Sequence, residues 1–472
     1  MDLIKKNWQT IIFLGLWCGI TLFQLFNHTP WYDEAHAWNI AQSLNFLEIL
    51  DFMHIEGHTF LWYLCLMPFA KFNIGYPYSM LVINWIFCFV AILVLWFKAP
   101  FQNWLKVLII FSFPFLQYYP IVARCYAIGI MFLFLVASFE QEKIKRPNLY
   151  SFLLVMLANT SVVAMFAATI LGAQFVFELI KNRVKNVVPY LILAIGSGLI
   201  LYQLGVHVNW FKQSAMKYFQ VIQNSKTTET LLNTLSEVYK SNFILMSFLV
   251  IALILGVFYY KNKIFPVFLI FTTTCMLAMY CFIYRGFFWH DLFFYIFLIV
   301  SVWIMFNKYE NLKWKAIPIA LLAIISCVLI LWKPSNEKYK AVYFDDSKYV
   351  AKFILNNKNL RSAKLVAAGY KANTIGPYLV KSNIDVRILC SGFSFNSFPK
   401  NWYFCGMTTP LYPYLDKFYR EDNNTYFILY KSLIPDLSSI RVYSFSDKEK
   451  YYDLTLYADL GKTLIYQFKN EK

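Results

Sequence analysis

The stretch "FLGLWCGITLFQLFNHTPWYDEAHAW", residues 13–38, decides the fold, because an apolar run long enough to cross a bilayer ends directly in a charged motif. The motif sets Asp33, Glu34 and His36 between Trp31 and Trp38. Tryptophan is common where a helix leaves the membrane. Ionisable side chains at that depth are costly and usually mark a pathway or a site. The acidic pair therefore calls for a functional explanation.

The composition indicates a membrane protein. Of the 472 residues, 59% are hydrophobic and only 15% are charged. Much of the net charge of +17 comes from short Lys/Arg clusters between apolar runs, as cytoplasmic loops require, so nucleic acid is excluded as a partner. The first apolar run is too long for a signal peptide and lacks a cleavage site, which predicts a retained helix. Most cysteines lie in or beside apolar runs, whereas Cys390 and Cys405 lie in a polar region and can pair if it is outside the cytosol.

Eleven apolar runs predict membrane spans, and the basic clusters beside them place the N-terminus inside and the C-terminus outside. The runs are 9–27, 78–97, 104–121, 123–139, 149–163, 165–180, 187–205, 242–260, 264–283, 291–306 and 316–332. A tight turn is predicted near Asn159 and Thr160. The run 58–72 is short for a span, and counting it would move Lys98 and Lys106 outside. We therefore expect it to lie along the membrane surface.

The predicted fold class is a multi-span α-helical membrane protein with a small C-terminal α/β domain outside the cytoplasm. Residues 1–332 form the transmembrane module, with a large external loop over 28–77, and residues 333–472 form the α/β domain. In that domain "DDSKYVAKFILNN" has the capping residues and period of a helix. "AKLVAAG", "IDVRILC" and "TYFILYK" are typical of short buried strands. Neither a GxGxxG nor a Walker pattern is present, so nothing supports nucleotide binding.

With this topology, ionisable residues from distant parts of the chain fall on the outer face and are expected to converge there. They are Asp33, Glu34, His36, His54, Glu56, His58, Arg124, Arg285 and His290. A carboxylate can take a proton from an acceptor hydroxyl, while arginine and histidine can hold a departing phosphate. The aromatic residues Trp31, Trp62 and Tyr63 can stack on a sugar. Together, these residue types suit an enzyme that transfers a group from a membrane-anchored phosphate.

Several alternatives stay open at the level of sequence. Asp33 can instead cap a surface helix, and Arg124 can be an interfacial residue that reaches for the headgroups. His54, Glu56 and His58 can bind a divalent cation, although their HxExH spacing differs from the zinc-protease HExxH pattern. The whole chain can also be a transporter or flippase of lipid-linked sugars, or a non-enzymatic envelope assembly protein.

Three motifs taken together, "WYDEAHAW", "HIEGHTFLWYLCLMPFAKF" and "YYPIVARCYAIG", resemble the polytopic GT-C glycosyltransferases. The similar members are the family 39-like group of protein O-mannosyltransferases, aminoarabinose transferases and Rgt-type enzymes. The resemblance covers about residues 1–180 and continues weakly through "YRGFFWHDLFFYIFLIVSVWI". It implies a GT-C architecture in a bacterial plasma membrane. It also implies transfer of a hexosyl or pentosyl group from a polyprenyl-phosphate sugar to an extracytoplasmic glycan, lipid or protein.

The resemblance also implies roles for individual residues. The family's catalytic acid falls on Asp33, with Glu34 as its partner. Contacts to the donor phosphate fall on His58 and Arg124, and more weakly on Arg285 and His290. The chain departs from the family in lacking a second aspartate after Arg124, where it has "CYAIG". That departure weakens the expectation of a metal ion bridged by two carboxylates.

Overall fold

The computed structural model describes residues 2–205, 264–282, 288–308, 315–332, 345–367, 369–388, 424–430, 439–443, 451–460 and 462–469. The predicted span 242–260 lies outside these residues, as do Arg285, Cys390 and Cys405. The chain divides into two compact units. The first is Met1–Leu25, Phe46–Trp62 and Val82–Lys333, and the second is Phe26–Asn45, Tyr63–Leu81 and Pro334–Lys472.

Up to position 332, the described residues form helices joined by turns. They are α1 (Asp2–Asn27), α2 (Tyr32–Ser43), α3 (Phe46–Glu56), α4 (Leu61–Ala70), α5 (Tyr78–Lys98), α6 (Asn103–Ile110), α7 (Cys125–Phe139), α8 (Pro147–Ala158), α9 (Val162–Lys181), α10 (Val188–Gly205), α11 (Ile264–Phe282), α12 (Phe288–Lys308) and α13 (Ala316–Leu331). These bounds follow the apolar runs of the sequence, because long apolar segments satisfy their backbone hydrogen bonds internally as helices.

Four described helical segments are long and apolar enough to cross a membrane, which makes the chain an integral membrane protein. They are Trp8–Asn27, Tyr78–Lys98, Val162–Lys181 and Phe288–Lys308, and the other apolar helices are shorter. The predicted run 104–121 is not one helix, because α6 ends at Ile110 and a single π-helical turn follows over Pro114–Tyr118. Pro114 has no N–H with which to continue the helical ladder.

Two local predictions agree with the described helices. Helix α4 has 10 residues, and at about 1.5 Å per residue it is roughly half as long as the hydrocarbon core is thick. It is therefore too short to span, as its sequence suggested. The turn between α8 and α9 falls at Asn159–Ser161, where Ser161 caps α9 by accepting the N–H of Ala164 at 3.2 Å.

Helix α12 lies at the core of the first unit, because 94% of the residues in its most apolar stretch are buried. Helices α8 and α10 pack unusually closely, since a Cβ added at Gly196 would overlap the side chain of Val155. Helix α7 also lies close to α9 and to the turn before it, because a Cβ at Gly129 would lie 3.5 Å from the Cβ of Ala164 and 3.0 Å from Thr160 Oγ1. Small residues at these crossings let membrane helices come together without cavities.

The second unit is built on a six-stranded mixed sheet. After α14 (Ser347–Asn356) and α15 (Lys358–Arg361) come β1 (Lys364–Ala367), α16 (Gly369–Leu379), β2 (Val386–Ile388), β3 (Thr425–Tyr430), β4 (Ser439–Tyr443), β5 (Tyr451–Asp459) and β6 (Thr463–Lys469). The strand order is β2-β1-β3-β6-β5-β4. Strands β2, β1 and β3 are parallel, and the remaining pairs are antiparallel.

Two segments of the predicted external loop, Phe26–Asn45 and Tyr63–Leu81, belong to this second unit with the C-terminal residues. The sequence-based division at 332/333 did not include them. Helix α2 packs on α16, where the side-chain amide of Asn39 donates to Asn373 Oδ1 at 3.3 Å. A buried side chain, Lys371 on α16, binds Asp346 at the start of α14. The first contact joins α2 to α16, and the second joins α16 to the start of α14.

Candidate functional site

The first group of predicted site residues lies at the N-terminus of α2. Glu34 is fully buried, and its carboxylate accepts the backbone N–H of Trp31 at 3.1 Å and lies 2.8 Å from His28 Nε2. Glu34 is thus the residue that caps α2. These contacts give Glu34 a positioning role at the start of α2. The expected roles of Asp33 as base and of Glu34 as its acidic partner stay predictions.

Asp33 lies in the same first turn of α2 and is only half-buried. Acidic side chains are favoured in a first helical turn by the partial positive charge of the helix N-terminus. Asp33 is the more exposed carboxylate of the pair. His36 is buried one turn further on, and its ring stacks on Tyr32 with centroids 5.6 Å apart. Trp31 is half-buried beside them.

The second group lies in the first unit, where three predicted phosphate contacts come together. Arg124 Nη2 donates to His58 Nε2 at 3.3 Å. The Tyr126 ring meets the His58 ring edge-on at 5.9 Å, and its hydroxyl lies 2.9 Å from His290 Nε2. Arg124 is also the N-cap of α7, where the helix dipole adds partial positive charge. These contacts assemble a cationic, donor-rich site from three distant segments.

His58 is uncharged in this setting. Burial first, and then the neighbouring Arg124 guanidinium, lower the pKa of His58 from 6.5 to about 3, against a small opposing effect of Glu56. Because arginine can only donate, Nε2 of His58 is the acceptor and the ring proton resides on Nδ1. That Nδ1 is buried and has no hydrogen-bond partner in the described part of the chain. The pair thus offers a guanidinium and a neutral N–H, both of which suit phosphate oxygens.

Sequence reasoning missed two members of this second group. Asp291, next to His290, is buried in the first turn of α12 and accepts the hydroxyl hydrogen of Tyr280 at 2.8 Å. Tyr126 links His58 to His290, yet its position in an apolar run gave no signal. Asp291 could have been found, because a carboxylate inside an apolar helix is costly and is usually functional.

Other predicted site residues do not join either group. Helix α3 ends at Glu56 and Gly57 has φ +66°, so His54 and His58 do not share a helical face. His54 bonds to the Asp51 carbonyl, and Glu56 is half-buried. The metal-pair hypothesis thus finds no support, and no group of three or more metal-ligating side chains occurs among the described residues.

The predicted stacking residues Trp62 and Tyr63 are also placed differently from the expectation. They are only 1% and 3% exposed, so their rings are covered by protein and are not open to a sugar. Both lie in α4, whose composition is apolar throughout and therefore gives no indication of which face is buried. Aromatic rings that are accessible in part occur instead in the turn after α4 and on α16.

Comparisons with known proteins include a distant structural likeness. No family model matches the chain, and no curated protein matches it. The crystal structure of ArnT from Cupriavidus metallidurans bound to undecaprenyl phosphate is similar to it over 98% of both chains, at 9% identity and a TM-score of 0.44. Because a likeness this low assigns no residue roles, the roles below rest on the chain's own residues.

Proposed function

We propose that this chain is a membrane glycosyltransferase that moves a sugar from a polyprenyl-phosphate donor to an extracytoplasmic hydroxyl acceptor. The observation that carries the proposal is the Arg124–His58 pair, whose 3.3 Å contact combines a fixed positive charge with a neutral ring N–H. A donor phosphate that departs from a sugar develops negative charge, and fixed donors in a water-poor site stabilise that charge most effectively. A phosphate, whose oxygens accept several hydrogen bonds, suits this set of donors.

In the proposed reaction, Asp33 takes the proton of the acceptor hydroxyl. The acceptor oxygen forms a bond to the anomeric carbon, and the bond from that carbon to the phosphate oxygen breaks. The polyprenyl phosphate leaves with the electron pair, and Arg124 and the Nδ1–H of His58 stabilise its charge. Inversion at the anomeric carbon is what the family resemblance implies.

The test is transfer by purified protein reconstituted with polyprenyl-phosphate sugars. Asp33→Asn should lower the transfer rate by about 10²-fold or more, since removing a general base has that effect, while donor binding persists. Arg124→Ala should weaken donor binding itself. The matched controls are Asp385→Asn and Arg146→Ala, which change side chains that form ion pairs with Arg387 and Glu142.

The outcomes separate the competing functions. Transfer that continues unchanged in Asp33→Asn would remove the proposed base. Movement of lipid-linked sugar across the bilayer without transfer would instead favour a transporter. Growth defects that follow only deletion of residues 333–472 would favour an assembly protein. The buried Asp291 gives the transporter little support, because it lies in the first turn of α12 rather than midway along it.

A further inference from the structure

A cluster of aromatic and amide side chains in the second unit has no role in the function proposed above. We call it the Tyr76 cluster: Trp38 and Asn39 of α2, Tyr76 of the turn before α5, and Asn373 and Tyr378 of α16. The ring of Tyr76 lies 5.1 Å from that of Trp38 and 4.9 Å from that of Tyr378, centroid to centroid. Asn39 Nδ2 donates to Oδ1 and to the backbone carbonyl of Asn373, each at 3.3 Å.

Five buried polar atoms of the Tyr76 cluster have no hydrogen-bond partner in the described part of the chain. They are Trp38 Nε1, Asn39 Oδ1, Tyr76 OH, Asn373 Nδ2 and Tyr378 OH. Leaving one buried donor or acceptor unpaired costs about 1–3 kcal/mol, and folded proteins leave few of them. Five such atoms on two packed helices and one turn thus indicate a ligand rich in hydroxyl groups.

The charges around the two phenols limit the kind of ligand. Burial raises the pKa of Tyr76 well above its usual value, and Tyr378, Glu34 and Asp345 raise it further. Burial likewise raises the pKa of Tyr378, with Asp345 and Glu34 adding to the effect. Both phenols therefore stay protonated and can donate. The two carboxylates that act on them already have partners, since Asp345 lies 3.8 Å from Lys371 Nζ and Glu34 lies 2.8 Å from His28 Nε2. A ligand therefore needs no charge of its own to balance them.

The rings are accessible in part, as a ligand requires. Tyr76 and Tyr378 are half-buried, and Trp38 lies fully buried behind Tyr76. The turn that carries Tyr76 is shaped by Asn73 at φ 51° and Gly75 at φ 66°, both in the left-handed region. The group combines aromatic ring faces with buried polar atoms. A pyranose ring has the complementary surface, with C–H groups on its faces and hydroxyls on its edge.

We propose that Tyr76 and Tyr378 bind an uncharged, hydroxyl-rich acceptor sugar, with Trp38 and the Asn39–Asn373 pair supporting them from behind. The inference rests on the transferase function proposed above and names its acceptor class. Helix α2 carries both the proposed base, Asp33, and Trp38 of this cluster. One short helix would thus fix the position of the acceptor site relative to the base.

The test is binding of neutral methyl glycosides to the full-length protein in detergent without any donor, followed by ligand-observed NMR. The matching methyl glycosides of uronic acids serve as anionic probes. The neutral probes should bind more tightly than the anionic ones. Tyr76→Phe and Tyr378→Phe, which remove one hydroxyl each, should weaken neutral binding by about tenfold. Tyr349→Phe removes a hydroxyl from a side chain that is 60% exposed in the same unit and should change nothing.

The outcomes distinguish this inference from the transferase proposal. Equal binding by both Phe variants and the wild type, or no binding of any neutral glycoside, overturns the acceptor site. Glycoside binding that depends on both hydroxyls, together with no transfer from any polyprenyl-phosphate sugar, leaves the site standing and overturns the transferase. If both hold, the Phe variants should raise the acceptor KM more than they lower kcat. Unchanged thermal unfolding of each variant confirms that the fold is intact.

Discussion

The protonation state of His58 shows how two neighbouring residues set the chemistry of a third. A free histidine would be charged in part near neutral pH, but burial beside Arg124 keeps this one neutral down to a pH of about 3. A neutral ring can accept from Arg124 at one nitrogen and still donate at the other. The pair therefore presents one full positive charge, carried by the guanidinium, whatever the pH between neutrality and mild acid.

This leads to a prediction about stability and pH. The folded pKa of His58 is depressed from 6.5 to about 3, so within that window the unfolded chain binds more protons than the folded one. The free energy of unfolding should thus fall as the pH falls through the window. His58→Gln should reduce this acid-induced loss, measured as the difference in unfolding temperature in detergent at neutral and acidic pH.

The binding of donor offers an independent check on the same residue. Because His58 stays neutral, the affinity for a polyprenyl-phosphate sugar should be flat across pH 6.5 rather than rise on the acid side. An inflection near that pH that His58→Gln abolishes would show that the ring does become charged, and would contradict the assignment.

At the scale of whole helices, close packing in the first unit depends on individual glycines. Gly196 and Gly198 lie two positions apart on α10, yet a Cβ added at Gly196 would overlap Val155 of α8, and one at Gly198 would meet no atom within 4 Å. The sequence "AIGSG" does not distinguish them. The two positions are distinguished only by the packing of α10 on α8, which covers Gly196 and not Gly198.

The two glycines therefore form a matched pair for a test of this crossing. Gly196→Ala should lower the free energy of unfolding by about 1–3 kcal/mol, as overpacking does. Gly198→Ala should be neutral or slightly stabilising, because alanine favours a helix interior over glycine by about 1 kcal/mol. Thermal unfolding in detergent measures both, and equal effects of the two substitutions would contradict the crossing.

For the molecule as a whole, the decisive expectation is its orientation in the membrane. The basic clusters predict that the loop around Lys145 is cytoplasmic and that the C-terminal residues are outside. Both Lys145 and Ser362 are exposed. A membrane-impermeant maleimide should thus label Ser362→Cys in intact cells, and Lys145→Cys only after permeabilisation, against the unmodified chain as background. The reverse pattern would put the proposed base on the wrong side for an extracytoplasmic acceptor.

The sequence by itself determined the elements whose signals are local. Apolar runs predicted the helices, a break at Asn159–Thr160 predicted a turn, and "AKLVAAG", "IDVRILC" and "TYFILYK" correspond to β1, β2 and β3. Hydrophobic run length and capping residues act within a few positions, so they can be recognised without the fold. The residue types of the proposed phosphate site were chosen in the same way.

Only the tertiary structure decided which of those residues meet. Arg124 and His58 are 66 positions apart, and Tyr126 and His290 are 164 apart, so no local pattern could pair them. It also brought the Glu34 carboxylate to the N–H of Trp31 at the start of α2 and covered Trp62 and Tyr63. Each of these outcomes depends on which helix faces another, and that choice comes from shape and burial across the fold. The sequence of a uniformly apolar helix does not show which face packs on a neighbour, because all its faces have a similar composition.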